Sequence, residues 1–141
     1  MTMVRGLRTL AASFALAAVL SVGLAERSSA FTLIELHYLP AVQLVASQSS
    51  DIKVTNVSMN SINVVITAYR DDGSMLAQKS EMIAPGATFT HIIRAPSTGP
   101  LSFHATIAVD TAHAAVADVM TFDKMTGEAV LLLPAVQFDT N

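Results

Sequence analysis

Residues 51–95 read DIKVTNVSMNSINVVITAYRDDGSMLAQKSEMIAPGATFTHIIRA, and this stretch decides the fold class. Its most regular part alternates apolar with more polar residues, the apolar ones on one face being Ile62, Val64, Ile66 and Ala68. Because successive side chains of a strand point to opposite faces, this alternation predicts a strand with one buried face. Asp72-Gly73 and Pro85-Gly86 favour tight turns between strands. The stretch therefore predicts four strands joined by short turns.

The order of these elements resembles the middle of bacterial immunoglobulin-like and fibronectin-III-like β-sandwich modules. Three segments carry the resemblance: V-T-N (54–56), I-N-V-V-I-T-A-Y-R-D-D-G (62–73) and I-A-P-G-A-T-F (83–89). The resemblance implies an all-β fold, an immunoglobulin-like antiparallel β-sandwich of seven to nine strands. It implies no particular function, because this architecture hosts many unrelated roles. The chain has no Cys and no Trp, so the Cys–Trp–Cys core of antibody domains is missing.

Residues 1–30 have the pattern of a secretory signal peptide, which we predict to be a helix that precedes the folded domain. Two arginines come first, an uncharged apolar run covers residues 10–25, and small residues follow up to Ala30. These are the three regions of an export signal. Cleavage after Ala30 is preferred, and cleavage after Ala25 is the alternative. An uncleaved membrane anchor is less favoured, because a spanning helix needs about 20 apolar residues.

Residues 31–141 are predicted to form a single β-sandwich domain. This part has five basic and ten acidic residues, a formal net charge of −5, and no basic cluster. Nucleic acid is therefore a poor partner, and so is a membrane once the signal is removed. The predicted location is exported, either periplasmic or extracellular. With no Cys in the chain, neither a lipid anchor on Cys nor a disulfide is available.

The remaining segments also favour strands. The predicted elements are a strand or short helical lead-in at 31–39, a strand at 41–47 after Pro40, a half-buried strand at 101–109, a strand at 114–122 whose alanines would also tolerate a helix, and a last strand at 128–138. In the last of these, Leu131-Leu132-Leu133 predicts burial on both faces.

One five-residue sequence occurs near both ends of the domain. Leu39-Pro40-Ala41-Val42-Gln43 recurs as Leu133-Pro134-Ala135-Val136-Gln137. We interpret this as first and last strands that lie side by side, each bent at its proline, in the parallel pairing common in sandwiches. The alternative interpretation is that the ten residues form exposable edges for pairing between subunits.

No residue pattern predicts catalysis, a cofactor or a metal site. The histidines at 37, 91, 104 and 113 lack the spacing of metal ligands, and His104 is predicted on the outward face of its strand. Asp71 and Asp72 are adjacent but belong to a turn, where aspartate is common. Phosphate-binding loops, the nucleophile elbow and a Cys nucleophile are all missing. We therefore predict that the protein is not an enzyme.

These observations predict an exported, non-catalytic β-sandwich module that binds another protein or a glycan. The first alternative is a structural subunit of a surface or extracellular assembly formed by edge-strand pairing. The second alternative is a periplasmic metal-binding protein that uses the histidines.

Overall fold

The computed structural model describes residues 31–139, and the chain from Thr32 onward forms one compact unit. Residues 1–30, which carry the signal-peptide prediction, lie outside the described residues. Residues 31–139 contain strands and turns and no helix. The nine strands are β1 (Glu35–Leu44), β2 (Gln48–Asn56), β3 (Ile62–Arg70), β4 (Met75–Ile83), β5 (Thr88–Arg94), β6 (Leu101–Val109), β7 (Ala115–Asp123), β8 (Ala129–Pro134) and β9 (Val136–Asp139).

The strands form two antiparallel sheets. The first has the order β4-β3-β6-β1-β9, and the second has the order β5-β2-β7-β8. The prediction of an all-β, two-layer antiparallel fold is confirmed. The strand at residues 41–47 begins earlier than expected, because β1 runs through Pro40 with a local register shift between Leu39 and Val42. The expected last strand is two strands, which are separated at Ala135.

Alternating apolar residues build the core between the sheets. On β3, the predicted inner face is fully buried, and on β6 every second residue from Leu101 to Val109 is buried. β2 and β7 supply the opposite layer with residues such as Ile52 and Val119. These four strands are interior strands of their sheets, and they hold most of the core.

Two glycines make the predicted turns. Gly73 has φ of 81° and Gly86 has φ of 72°, in the left-handed region that glycine adopts without steric cost. The turn at Gly73 is closed by Arg70 N–H donating to Ser74 O at 2.9 Å, so β3 and β4 form the expected hairpin. The turn at Gly86 instead carries the chain to the other sheet, from β4 to β5.

The strand order differs from the immunoglobulin arrangement, in which the first two strands are neighbours in one sheet and the last two are neighbours in the other. Here β1 pairs with β6, and β7 pairs with β2. The three-residue connection 45–47 and the connection 110–114 each carry the chain across the core. β1 and β2 therefore lie in different sheets, and so do β6 and β7.

The first and last strands do pair, but the parallel pairing is wrong. β1 and β9 are antiparallel, with Glu35 opposite Asp139 and Tyr38 opposite Val136. The reason lies in β8, which forms an antiparallel hairpin with β7 in the second sheet. Only Ala135 separates β8 from β9, so the chain keeps its direction as it moves to the first sheet.

The predicted burial of the three leucines on both faces is also wrong. β8 is an edge strand of the second sheet, and Leu131 and Leu132 are 39% and 57% exposed. A central strand is covered by a neighbouring strand on both sides, whereas an edge strand such as β8 has a neighbour on one side only. The leucines of β8 therefore remain partly exposed.

Candidate docking surface

The four edge strands differ in charge. β4 carries Lys79 and Glu81, β5 carries Arg94, and β9 ends in Asp139. Charged side chains on an edge strand discourage pairing with another chain. β8 has none, and residues 129–138 form an uncharged run of ten. Among the edges that the structure describes, β8 alone lacks this protection.

Large apolar side chains are exposed along this run. We call them the apolar edge: Val130, Leu131, Leu132, Val136 and Phe138. Four of the five are more than half exposed. Val130, Leu131 and Leu132 lie on β8, whereas Val136 and Phe138 lie on β9, in the other sheet. Three neighbouring exposed apolar residues on one edge strand are more than the scattered exposure that is ordinary on protein surfaces.

The backbone of β8 is open at one residue in particular. Ala135 N–H donates to Ala117 O at 2.9 Å, so Ala135 faces β7. Because hydrogen-bonding directions alternate along an antiparallel strand, Leu133 and Leu131 also face β7, and Leu132 turns its N–H and C=O away. A register shift interrupts the pairing near Val130, and Pro134 has no N–H. The outward-facing N–H and C=O of Leu132 therefore lie between the register shift near Val130 and Pro134, which has no N–H to donate.

The outer face of the second sheet extends the apolar surface next to β8. Leu132 lies opposite Met120 of β7, and Phe122 lies further along the same face, with both β7 side chains half-buried. Asp51 lies opposite Met120 on the following strand. Charge reappears on β7 itself, where Asp118 lies opposite Pro134.

The ten residues of the L-P-A-V-Q segments are divided between core and surface. Leu39 and Val42 are fully buried, and Leu133 and Ala135 pack against the core. Pro40 is half-buried, and the exposed members are Ala41, Gln43, Pro134, Val136 and Gln137. The structure does not bring the two segments together over their length, since β9 pairs only with residues 35–38 of β1. Residues 130–132 were not predicted to form a binding edge, although the absence of charged residues from 129 to 138 indicates one.

A second group of polar side chains lies inside the sandwich. Glu35 and His37 occupy alternate positions on the inner face of β1 and are only 2% and 3% exposed. His37 Nε2 and Glu35 Oε1 are 2.5 Å apart, and the backbone N–H of His113 donates to Glu35 Oε2. Gln137 Nε2 lies 3.3 Å from His113 Nδ1 at the exposed end. Because both oxygens of the buried carboxylate have partners, this cluster is a satisfied polar element of the core.

The other histidines lie elsewhere. His104 is on the outer face of the first sheet as predicted, and its ring lies between those of Tyr38 and Tyr69, with centroids 5.9 Å and 5.5 Å away. His91 shares the inner side of β5 with Ile93, and its Nε2 is buried without a partner. Burial lowers the pKa of His91, and the nearby Lys79 lowers it further. In the described part of the chain, no three side chains of His, Asp or Glu are grouped as metal ligands would be.

The aspartates serve the turns. Asp72 accepts from Ser74 N–H at 2.9 Å, and hydrogen bonds from Ser74 hold the pKa of Asp72 below its usual value. Asp110 accepts from Asn63 through both its backbone N–H and its side-chain amide, at 2.9 and 2.7 Å. Burial alone would raise the pKa of Asp110, but these bonds outweigh burial and lower it. Asp72 therefore has the local bonding expected of a turn residue. Asp110 instead links the turn after β6 to the start of β3.

Within residues 31–139 there is no helix long and apolar enough to cross a membrane.

Comparison with known proteins supports the fold class. No family model matches the chain, and no curated protein matches it. Among solved structures it is similar to Thermotoga maritima 1070, with a TM-score of 0.54 and 11% identity over 74% of this chain and 95% of that one. At this identity the likeness concerns the fold alone.

A weaker likeness is to Bacteroides uniformis β-glucuronidase. The TM-score is 0.26 with 14% identity, and the aligned part covers 73% of this chain but only 13% of that one. A calcium-binding mutant of β-glucuronidase 2 from the same organism gives the same TM-score and identity, over 12% of its chain. Likenesses at this level support no inference about function.

Proposed function

We propose that this protein is an exported, non-catalytic β-sandwich module that binds another protein through the apolar edge. The observation that carries the proposal is an edge strand, β8, with no charge, exposed Val130 and Leu132, and an outward-facing main chain at Leu132. Proteins commonly recognise extended segments by adding them as a strand to such an edge. Main-chain hydrogen bonds then provide affinity, and the exposed apolar side chains provide contact area.

Export is the part of the proposal that rests on residues 1–30, whose composition is that of a cleavable signal. An exported chain meets other proteins outside the cytoplasm, in the periplasm or beyond the cell. The lack of Cys fits either place, because the core of residues 31–139 is large enough to need no disulfide.

A protein ligand is preferred to a glycan because of how the surface aromatic rings are arranged. Tyr69 and His104 are stacked on each other with an interplanar angle of 21°, and Tyr38 leans on the other side of His104. Rings that cover one another offer little free face to a sugar ring. The apolar edge, in contrast, offers both side chains and a main chain, which suits a polypeptide.

The test is photo-crosslinking in the exporting cell. The full chain is expressed with a photo-reactive amino acid at position 132, and a matched chain carries it at position 82. Met82 is also an exposed apolar residue, at 67%, on the charged edge strand β4. We expect a covalent adduct with a protein from position 132 and none from position 82. Adducts at both positions, or at neither, would contradict docking at the apolar edge.

A further inference from the structure

We propose that the protein bound at the apolar edge is a second copy of this chain, paired strand to strand about a two-fold axis at Leu132. This inference rests on the proposed function and names the partner. In the resulting dimer, β8 of each copy becomes an interior strand, and the two four-stranded sheets join into one sheet of eight strands.

The backbone fixes the register. In an antiparallel pair, two residues that face each other exchange both hydrogen bonds when their N–H and C=O point toward the partner. Leu132 has this orientation, and the shift near Val130 and the missing N–H of Pro134 interrupt it on either side. The register that satisfies the outward-facing N–H and C=O of Leu132 therefore places Leu132 opposite Leu132 of the other copy. Val130 then faces Pro134 of the other copy, where the proline C=O is still free to accept.

The distribution of charge makes β8 the edge at which two copies can pair. Residues 31–141 carry five basic and ten acidic side chains, so two copies repel each other over most of their surface. A two-fold axis brings each residue near its own equivalent, and an edge that carries charge would place like charges together. The run 129–138 has no charged residue, so self-pairing at β8 avoids this penalty.

The side chains are complementary to themselves. On the outer face, Leu132 of one copy lies beside Leu132 of the other, with Met120 of each copy behind it. On the inner face, Leu131 lies opposite Leu133 of the other copy. Both faces of the joined strands are therefore apolar at these positions.

Sedimentation velocity tests the inference on the full chain recovered from the exporting cell. We expect the molar mass to rise from one to two copies with a midpoint on the order of micromolar concentrations, the weak end of the range for protein interfaces. Leu132→Lys places two like charges at the axis and should weaken the dimer at least about tenfold. Met82→Lys makes the same chemical change on β4 and should leave the dimer unchanged.

Leu132→Pro separates main-chain pairing from apolar contact. Proline is tolerated on an edge strand where the N–H faces solvent, so this variant should fold and should fail to dimerise. Leu133→Pro is its matched control, because it removes an N–H that faces β7, and its melting temperature should fall. Circular dichroism and thermal melting establish which variants are folded.

The outcomes separate the inference from the proposed function. A dimer that survives both Leu132→Lys and Leu132→Pro would overturn pairing at β8. A wild-type chain that stays monomeric, yet crosslinks from position 132 to a different protein, would overturn the second copy and leave the protein-binding proposal standing. A monomer with no adduct at all would remove both.

Discussion

Replacing Glu35 tests whether the buried polar cluster stabilises the fold through satisfied hydrogen bonds or through charge. In Glu35→Leu, the N–H of His113 and the Nε2 of His37 lose their partner in a site that is only 2% exposed. Each buried polar group without a partner costs about 1–3 kcal/mol. The expected loss of unfolding free energy is therefore about 2–6 kcal/mol.

Glu35→Gln keeps the size of the side chain and can keep both contacts. Its amide oxygen can accept from the N–H of His113, and its NH₂ faces Nε2 of His37, which can accept in one of its tautomers. The remaining loss is the difference between charge-assisted and neutral hydrogen bonds, about 1 kcal/mol. If the charge itself were essential, Gln would cost as much as Leu, about 3–5 kcal/mol for a broken buried ion pair.

Urea unfolding at pH 7 measures both variants. With m of about 1.5 kcal/mol/M, a loss of about 3 kcal/mol lowers the midpoint by about 2 M. The double variant Glu35→Leu/His37→Leu should be more stable than the sum of the single variants predicts, by about 1–3 kcal/mol, because it removes both members of one contact. A Leu variant no less stable than the Gln variant, or strictly additive effects, would refute this account of the cluster.

Three further predictions concern single positions. His91→Leu should remove a buried nitrogen that has no partner. Since the folded-state pKa of His91 lies below 6.5, its contribution to stability is present above that pH and is lost as the pH falls through the folded pKa. Melting temperatures at pH 7.5 and pH 5 should therefore differ less in His91→Leu than in the wild type. His113 has φ of 53°, so His113→Val should lower the unfolding free energy by about 1–2 kcal/mol, while His113→Gly should not, as urea midpoints will tell. Phe103→Ala should cost about 3–5 kcal/mol by the same assay, because Phe103 is fully buried on the central strand β6.

The sequence is most informative where a strand has a fixed pair of neighbours. β3 and β6 alternate cleanly because each is an interior strand with one face in the core, and their predicted faces are confirmed. The hairpin at Gly73 is local and its turn chemistry is visible in the sequence. These features depend on residues that are close together in the chain.

The candidate site depends on distant residues, and the sequence does not contain that information in readable form. Leu131–Leu133 has the composition of a buried strand, and only the pairing of β8 with β7 on one side makes it an edge. Likewise, Glu35 and His37 look like interruptions of an apolar run until the N–H of His113, from the loop before β7, is placed beside the carboxylate. Tertiary structure decides whether a strand is at the edge or in the interior of a sheet. It also decides whether a buried polar side chain has a hydrogen-bond partner.

The pairing of β1 with β9 has a consequence for how the chain folds. Glu35, near the start of the described residues, lies opposite Asp139, near their end, so β9 joins the first sheet through a contact of very long sequence separation. Such contacts make folding slow, because a long loop must be closed before the contact is gained. During synthesis the N-terminal part of the chain appears first. Residues 35–38 of β1 then have no neighbouring strand on one side until β9 is made. The arrival of β9 therefore sets how long residues 35–38 are exposed to pairing with the wrong strand.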